Sequence, residues 1–569
     1  MNIFTSEIAN WLSIQTGLAP GALDAMIEIP PDPELGDYAF PCFTLAKPMK
    51  KAPAAIAADL AGKFAPTALV TSARAVGPYL NFSVDRRQLA EAVLKAVVGD
   101  GERYGRSNVG AGRTVVIDYS SPNIAKHLAL HHIRSITIGG TLYRIFQAIG
   151  YRPIGINFLG DWGTNFGQLI VAFKRYGSPE MLENDAVENL NQLYVRFHTE
   201  AKKDPALEDE ARAAFKRLED GDPQVRALWQ RFKDASLAEF KKVYGMLNVR
   251  FDEFSGESFY NEKVPATIRR LEERGLARLS EGALIVDLEA HKMPPVLLRK
   301  SDGATLYETR DICAAEERHA KYAFDRMIYV VGSEQRLHFR QIFKVLEMLG
   351  YEWAKRCVHV DFGLIRLKEG RMSTRTGNVI LLEDVLTEAV QRVEAIVREN
   401  DTERQLSEDE VKAVSRDVGI GAVVFADLSS RRVKDVVFDW KDILNFKGET
   451  GPYLQYTHAR ISSILRKYGR PIGADVDSVV LADDISISVV KALENLPRII
   501  QRAAETFEPS LIATYLLALA SAFNTFYHEH RVLTDDERLA RARILMIDCV
   551  RQALKNGLAL LGMGAPERM

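Results

Sequence analysis

The strongest constraint on the fold of this chain is an apolar, β-branched run at residues 114–119 (TVVIDY). The run ends at the turn SSPN at 120–123. Such a run indicates a buried strand. Apolar side chains then recur at helical spacing from Leu130 to Ile149, which predicts a helix with one apolar face. A second strand is predicted at 154–158 and a second helix at 166–175. Because strands and helices alternate, the sequence predicts a parallel sheet in an α/β domain.

The α/β pattern continues after a long interruption. Residues 175–290 are rich in charge and mostly helical in pattern, so we interpret them as an insertion. A further strand is predicted at 327–331 (MIYVV), with a helix from about His338. These features predict that the α/β domain, the candidate catalytic domain, spans residues 111–400.

The two ends of the chain differ from this middle part. Residues 1–106 mix short helical and strand patterns, which predicts an N-terminal α+β domain, and GRSNVGAG at 105–112 is typical of a loop. From residue 401 onward we predict helices only, with two long amphipathic ones at 509–527 and 537–561. A length of 569 residues fits about three or four domains of this kind.

Composition excludes several classes of protein. The net charge of −2 gives no sign of a nucleic-acid partner, so a nucleic-acid binder of this balance must concentrate its positive charge in patches. The four cysteines are far apart and form no CxxC pair, which argues against a zinc ribbon or a disulfide framework. No apolar stretch approaches the ~20 residues of a membrane span, and the N-terminus lacks the features of a signal peptide. We therefore expect a soluble cytoplasmic protein with no membrane partner.

A cluster of donor side chains follows the first predicted strand: Lys126, His127, His131 and His132. In a parallel sheet, ligands bind at the carboxyl ends of strands, where helix N-termini favour phosphate groups. The alternative is that these side chains only cap or solvate the helix end. A metal site is a weaker hypothesis, since His127 and His131 are four residues apart but no third ligand is near in sequence.

A second cluster is RMSTRTG at 371–377, which carries Arg371 and Arg375. Small polar residues and two arginines on a loop suit a clamp over phosphates. Taken alone, the segment is equally typical of a solvated surface loop. The motifs GxGxxG and GxxxxGK[ST] are both missing, which disfavours a dehydrogenase and a P-loop ATPase.

Several segments, in order along nearly the whole chain, resemble the bacterial-type arginyl-tRNA synthetases, a class I family. They are SPNIAK, HHIRS, GINFLGDWGTNFGQLI, LYETRD, RMSTRTG, GPYLQYTHARISSIL and the terminal GAPERM. ELGDYAFPCFTLAK resembles that family's additional N-terminal domain, which is thought to contact the tRNA elbow. The resemblance implies a Rossmann-type class I catalytic domain, an N-terminal α+β domain and an all-α C-terminal anticodon-binding domain.

The resemblance also implies an ATP site. His132 corresponds to the second histidine of the family's HIGH signature, but Ala129 and His131 replace its first His and its Gly. We expect His127 or His131 to supply the missing imidazole. The predicted catalytic residues are His132, His131, Lys126, Arg371, Ser373 and Arg375. The predicted ATP-binding residues are Pro122, His127, His132, Met372 and Ser373.

An arginine pocket is implied in the same way, because a guanidinium requires carboxylates placed for forked hydrogen bonds. The predicted pocket residues are Asp118, Asn123, Tyr307, Asp311 and Gln341. Without the resemblance, Asp118 would be interpreted as a helix cap and Asp311 as part of a surface salt bridge. The predicted tRNA-binding residues are Tyr453, Tyr456, His458, Arg460 and Arg466. Basic positions on a helix are also typical of an ordinary solvated face.

We therefore predict a ligase that uses ATP with Mg²⁺, forms arginyl-adenylate and transfers arginine to tRNA(Arg). No metal held by protein side chains and no prosthetic group are expected, and the family resemblance implies a monomer. Two alternatives stay open. One is a tRNA- or protein-binding paralogue with a decayed ATP site, suggested by Ala129 and His131. The other is a synthetase-like ligase that serves a small acceptor, which the C-terminal helices disfavour.

Overall fold

The computed structural model describes residues 3–30, 32–301, 303, 305–367, 380–400, 406–473 and 477–569. They form two compact units. One contains 1–101, 468–494 and 521–550, and the other contains 102–467, 495–520 and 551–569. In both units, the structure describes only the residues given above.

The N-terminal region is a mixed α+β structure, as predicted. Its elements are α1 (Ile3–Thr16), α2 (Pro20–Asp24), β1 (Tyr38–Pro41), α3 (Ala46–Met49), α4 (Pro53–Ala61), β2 (Val70–Val76), β3 (Tyr79–Val84) and α5 (Arg86–Asp100). The three strands pair antiparallel in the order β1-β3-β2. Helix α5 begins at a well-formed cap, because the Asp85 carboxylate accepts hydrogen bonds from two backbone N–H groups of its first turn.

The middle of the chain contains the predicted parallel sheet. Its elements are β4 (Thr114–Asp118), α6 (Ile133–Ala148), β5 (Arg152–Leu159), α7 (Thr164–Tyr176), α8 (Ala186–Ala201), α9 (Ala206–Glu219), α10 (Pro223–Met246), β6 (Glu253–Gly256), α11 (Glu257–Tyr260), α12 (Val264–Glu273), β7 (Ala277–Ser280), β8 (Ala283–Val286), β9 (Val296–Arg299), α13 (Tyr307–Tyr322), β10 (Arg326–Gly332), α14 (Arg336–Met348), β11 (Cys357–Phe362) and β12 (Ile365–Leu367). A single 3-10 turn, Leu130–His132, leads into α6.

Five parallel strands make up this sheet, in the order β11-β10-β4-β5-β6. From β4 the chain adds β5 and then β6 on one side of the sheet. It then returns and adds β10 and β11 on the other side of β4. The order therefore reverses between β4 and β10, where Tyr329 lies beside Asp118. Such a switch point opens a crevice at the carboxyl ends of the strands, which is where ligands bind in doubly wound folds. Strand β4 is buried after its first residue, as its apolar sequence predicts.

The region interpreted as an insertion is helical only in its first part. Helices α8, α9 and α10 agree with the prediction, but β6 pairs with β5 and is an edge strand of the main sheet. Strands β7, β8 and β9 form a separate antiparallel sheet. A strand of four residues with two half-buried positions carries too little pattern for detection by periodicity.

The C-terminal elements are α15 (Leu382–Asn400), α16 (Glu408–Leu428), β13 (Val436–Phe438), α17 (Trp440–Ile443), α18 (Gly451–Tyr468), α19 (Asp484–Glu494), α20 (Leu496–Thr506), α21 (Ser510–Glu529) and α22 (Glu537–Leu561). The two long helices predicted at the end of the chain are confirmed. The prediction of helices only is wrong, because β13 pairs in parallel with β12. A three-residue strand is stabilised by its partner rather than by its own sequence, so no local signal reveals it.

Helix α21 is long and apolar enough to cross a membrane by length and composition. Half of its most apolar stretch is buried inside the protein, which is also the behaviour of a core helix in a globular fold.

Candidate active site

A cavity of about 320 Å³ lies at the switch point of the parallel sheet. Its walls come from the turn after β4, the start of α6, the end of β10 and the connection from β11 to β12. The lining residues are Ser120, Ser121, His131, His132, Ser135, Val330, Val331, Gly332, Glu334, Phe362, Gly363, Leu364 and Ile365. The cavity thus occupies the place where a parallel sheet receives a nucleotide, beside a helix N-terminus.

The turn after β4 holds a strained conformation that its neighbours stabilise. Ser120 and Ser121 have positive φ angles of 72° and 48°, which non-glycine residues rarely adopt. The Ser135 hydroxyl accepts the Ser120 N–H at 2.8 Å and donates to the Val330 carbonyl at 2.7 Å. The Ser120 hydroxyl lies 2.8 Å from the Tyr244 hydroxyl. Strain of this kind persists where surrounding contacts determine it, which is common at functional sites.

His132 and His131 are brought to the cavity, as predicted. The Ala129 N–H donates to His132 Nδ1 at 3.0 Å, so a neutral His132 ring carries its proton on Nε2. Burial, helped by the adjacent His131, lowers the pKa of His132 to about 4. The two rings lie 4.1 Å apart between centroids. At neutral pH, His132 is therefore a neutral hydrogen-bond donor rather than a cation.

Lys126 and His127 do not line this cavity, so the predictions that they contact ATP are not supported by their positions. Lys126 lies over the ring of Tyr194 on α8, 5.9 Å from its centroid. His127 is held between two carboxylates, with Nδ1 2.6 Å from Glu239 and Nε2 3.1 Å from Glu188. The physical reason is that both residues precede the helix, and their side chains turn toward α8 and α10.

The metal hypothesis for His127 and His131 also fails on geometry. The helical spacing it needs is missing, because His127 lies in an irregular segment before the 3-10 turn. Among the residues that the structure describes, no group of three His, Cys, Asp or Glu side chains is arranged to hold a metal ion.

The RMSTRTG segment, with Arg371, Met372, Ser373 and Arg375, lies outside the described residues. Its described flanks are attached to the ATP-site segment. The Leu130 N–H donates to the Ile380 carbonyl at 2.9 Å, and the Leu382 N–H donates to the Leu128 carbonyl at 2.8 Å. Residues 128–130 and 380–382 are therefore adjacent in space.

One face of α13 carries two of the residues predicted for the arginine pocket. Tyr307 and Asp311 are four residues apart, so they lie on the same side of the helix. The His338 ring joins them, with Nε2 2.7 Å from the Asp311 carboxylate and its centroid 5.2 Å from that of Tyr307. Tyr307 is half exposed, so this end of α13 opens to solvent.

Asp118 does not present a free carboxylate in this structure. Arg318, seven residues after Asp311 on α13, forms an ion pair with one Asp118 oxygen at 2.8 Å. The Ser121 hydroxyl donates to the other oxygen at 2.9 Å. Both members of the pair are buried, so Asp118 fixes α13 to the end of β4.

The remaining two pocket predictions have different outcomes. Asn123 forms a parallel bridge with Gly160 after β5, and a Cβ on Gly160 would lie only 2.0 Å from its Oδ1. Asn123 is thus held where β4 and β5 end. The Gln341 amide donates to the Pro294 carbonyl at 2.8 Å, so its side chain supports a neighbouring turn. Pro122 is buried, and its carbonyl accepts the Gly160 N–H at 3.0 Å.

Sequence reasoning missed three residues near this pocket: Arg318, His338 and Glu257. Arg318 and His338 are visible in the sequence only as members of charged helical stretches, and the seven-residue spacing from Asp311 to Arg318 was the available signal. Glu257 forms an ion pair with Arg310 at 3.3 Å. Burial, with nearby Asp311 and Asp161, raises the pKa of Glu257 to about 7 despite that arginine.

The predicted tRNA-binding residues on α18 divide into exposed and buried positions. The Arg460 guanidinium lies 4.9 Å from the exposed Tyr456 ring, and Arg466 donates to the Glu567 carbonyl at 3.0 Å. Tyr453 is half-buried. The prediction for His458 is wrong, because its side chain is buried and its Nδ1 lies 2.9 Å from the Pro566 carbonyl. It attaches the end of the chain to α18, leaving no path to a nucleotide.

The doubly wound sheet and the cavity at its switch point are those expected of a class I aminoacyl-tRNA synthetase. The family described as the class I (R) tRNA synthetase catalytic domain matches residues 93–440. The arginyl-tRNA synthetase N-terminal domain matches 3–84, and the DALR anticodon-binding domain matches 454–569. The chain belongs to the arginyl-tRNA synthetase family.

Known relatives agree over the full length. The chain is 48% identical to "Arginine--tRNA ligase" of Clostridioides difficile (strain 630), with 100% of both chains covered. It is 46% identical to the protein of the same name from Alkaliphilus metalliredigens (strain QYMF), again over 100% of both. Among solved structures, Thermus thermophilus arginyl-tRNA synthetase has a TM-score of 0.84 at 26% identity, covering 100% of both chains.

Proposed function

We propose that this chain uses ATP to join L-arginine to tRNA(Arg) through an arginyl-adenylate. The observation that carries the proposal is the switch-point cavity lined by His132 and Ser121, because the Ser121 hydroxyl donates to Asp118, which pairs with Arg318 of α13. This contact supports a nucleotide site connected to an amino-acid site on α13.

In the first step, a carboxylate oxygen of arginine attacks the α-phosphorus of ATP. The new O–P bond gives arginyl-adenylate, and cleavage of the bond between the α-phosphorus and the bridging oxygen releases pyrophosphate. His132 Nε2–H donates to a phosphate oxygen, and the N-terminus of α6 stabilises the developing negative charge. Catalysis depends on positioning rather than on a protein nucleophile.

In the second step, a hydroxyl of the terminal adenosine of tRNA attacks the activated carbonyl, and AMP leaves. Mg²⁺ would accompany ATP and would neutralise negative charge on its phosphates, which is the usual mode for this ion. Arg371 and Arg375, with Met372 and Ser373, are proposed to hold the pyrophosphate end of ATP.

Arginine is selected by charge and shape. The Asp311 carboxylate is proposed to bind the substrate guanidinium, with Tyr307 packed against it and Asn123 holding the α-amino or carboxylate end. Asp118 then acts through Arg318, which sets the position of α13 and therefore of Asp311. Citrulline is rejected because it leaves a carboxylate unpaired, and lysine because one ammonium cannot form the forked contact.

For tRNA, we propose that exposed groups on α18 contact the anticodon arm, with Tyr456 offering a stacking surface and Arg460 a positive charge. Tyr453 and Arg466 are proposed as weaker contributors. We further propose that the enzyme acts as a monomer in the cytoplasm.

The test is charging of bulk tRNA with labelled arginine, citrulline or lysine, together with arginine-dependent ATP–pyrophosphate exchange with and without tRNA. Arginine-specific charging is the expected result. Binding of tRNA with neither charging nor exchange would instead favour the paralogue with a decayed ATP site, for which the replacements at Ala129 and His131 are the specific observation. Transfer of arginine to a small acceptor alone would favour the other ligase.

A further inference from the structure

The segment before the ATP-site histidines is attached to helix α10 at two points. The Ala125 N–H donates to the Ser236 hydroxyl at 2.8 Å, and His127 Nδ1 lies 2.6 Å from the Glu239 carboxylate. A third side chain of α10, Lys242, forms an ion pair with Glu383. The three α10 residues are spaced by three, so each is a surface neighbour of the next along the helix.

Helix α10 therefore contacts residues 125–127 and also Glu383. Ala125 and His127 belong to the segment that continues into His131 and His132. Glu383 follows Leu382, whose N–H donates to the Leu128 carbonyl at 2.8 Å. Helix α10 thus contacts both sides of the pairing of residues 128–130 with 380–382, through His127 and through Glu383.

We propose that His127 is a positioning residue: its imidazolium, bridged between Glu239 of α10 and Glu188 of α8, fixes the ATP-site segment, and its deprotonation weakens ATP binding. This inference rests on the proposed function. Both ring nitrogens lie within hydrogen-bond distance of a carboxylate, at 2.6 and 3.1 Å, and only the doubly protonated ring can donate to both. The strained backbone at Ala125, with φ of 60°, is held by Ser236 of the same helix α10.

The charged groups that face His127 favour its protonated form. Glu188 comes from α8 and Glu239 from α10. The hydrogen bond and charge of Glu239, followed by those of Glu188, raise the pKa of His127, although burial opposes them. Among cations, Lys242 is paired with Glu383, and Lys126 of the same segment lies over Tyr194. The His127 bridge to Glu239 and Glu188 is complete below the ordinary histidine pKa of about 6.5. It is lost as pH rises through the raised pKa of His127.

The experiment compares wild type with His127→Gln, which keeps one hydrogen bond but no charge, and with Glu239→Gln. The control is His528→Gln, an exposed histidine outside the site. The Michaelis constant for ATP is measured by pyrophosphate exchange from pH 6 to 9, alongside kcat and the constant for arginine. The pKa of His127 is measured by NMR on the full-length protein.

We expect the wild-type Michaelis constant for ATP to rise with pH in step with the His127 titration. His127→Gln should raise it about tenfold or more at pH 6.5, the loss typical of a charge-assisted hydrogen bond, with a flat pH profile and nearly unchanged kcat. Glu239→Gln should move the profile to lower pH, and His528→Gln should match wild type.

Three results would overturn the inference. One is a pH profile of His127→Gln that matches wild type. Another is an equal loss in kcat and in both Michaelis constants, which a general structural defect would cause. The last is an NMR pKa for His127 at or below 6.5. A wild type that is inactive at every pH would refute the proposed function as well, whereas an active wild type with an unresponsive variant refutes only the role of His127.

Discussion

Replacing Asp427 by Ala removes the partner of the most deeply buried arginine in this structure. Arg134 follows His132 by two residues, and its Nε lies 2.9 Å from the Asp427 carboxylate of α16. Both side chains are 1% exposed. Arg134 Nη1 also donates to the Gly363 carbonyl at 3.1 Å and to the Lys434 carbonyl at 2.7 Å. The substitution leaves a guanidinium without a counter-charge, away from water.

Removing one member of a buried ion pair costs ~3–5 kcal/mol, because the remaining charge stays desolvated. A cooperative unit of ~400 residues has an unfolding entropy of ~0.8 kcal/mol/K, so this cost lowers Tm by ~4–6 °C. The double variant Arg134→Met with Asp427→Leu buries no charge and should recover most of that loss. The assay is thermal unfolding followed by calorimetry, with all variants at one scan rate.

The matched control is Arg398→Met, which removes an exposed arginine paired with Glu394 and Glu408. Exposed ion pairs contribute little to stability because water screens them, so its Tm should change by ~1 °C or less. Because Gly363 forms part of the cavity wall, Asp427→Ala should also raise the Michaelis constant for ATP more than that for arginine. A Tm shift for Asp427→Ala no larger than the control, or a double variant no better than the single one, would refute the argument.

Three further predictions concern the site itself. Gly160→Ala should lower stability by ~1–3 kcal/mol through overpacking against Asn123 and raise the Michaelis constant for arginine; unfolding and kinetics equal to wild type would contradict it. Asp311→Asn should raise the Michaelis constant for arginine by roughly tenfold or more in pyrophosphate exchange, because a charged hydrogen bond is lost, while the Michaelis constant for ATP stays within about twofold. An equal effect on both Michaelis constants would contradict this prediction. The pKa of His132 in the folded protein is about 4, below its value in the unfolded chain. The free energy of unfolding should therefore fall as pH drops from about 6.5 toward 4. His132→Gln should remove part of that pH dependence, as measured by unfolding at several pH values.

The parallel sheet could be predicted because its strands carry long, continuous apolar runs and its helices a clear period. Strand β4 and the two final helices follow their sequence patterns closely. Strands β6 and β13 could not be predicted, since each has only three or four residues and is stabilised by a partner far away in sequence. Pairing of this kind is a tertiary effect that no local window contains.

The candidate site divides in a similar way. Residue type and spacing were enough to place His131 and His132 at the cavity, because a helix N-terminus after a buried strand has a defined direction. The direction of side chains in irregular segments is set by neighbours instead. His127 turns to Glu188 and Glu239, which lie 61 and 112 residues further along. His458 is buried by the end of the chain, and Asp118 is engaged by Arg318, so a sequence motif alone could not assign their partners.

The replacements at Ala129 and His131 do not by themselves require loss of the ATP site. The backbone of Ala129 is still capped, because its N–H is bound by His132 Nδ1. Compared with the HIGH signature, the side chain at position 129 no longer supplies an imidazole donor. His131, two residues later, lines the same cavity beside His132, so an imidazole is moved within the wall rather than deleted. A decaying site would lose donors at independent positions. Here the change is paired, while the turn at Ser120, the Asn123 bridge and Asp311 are all in place.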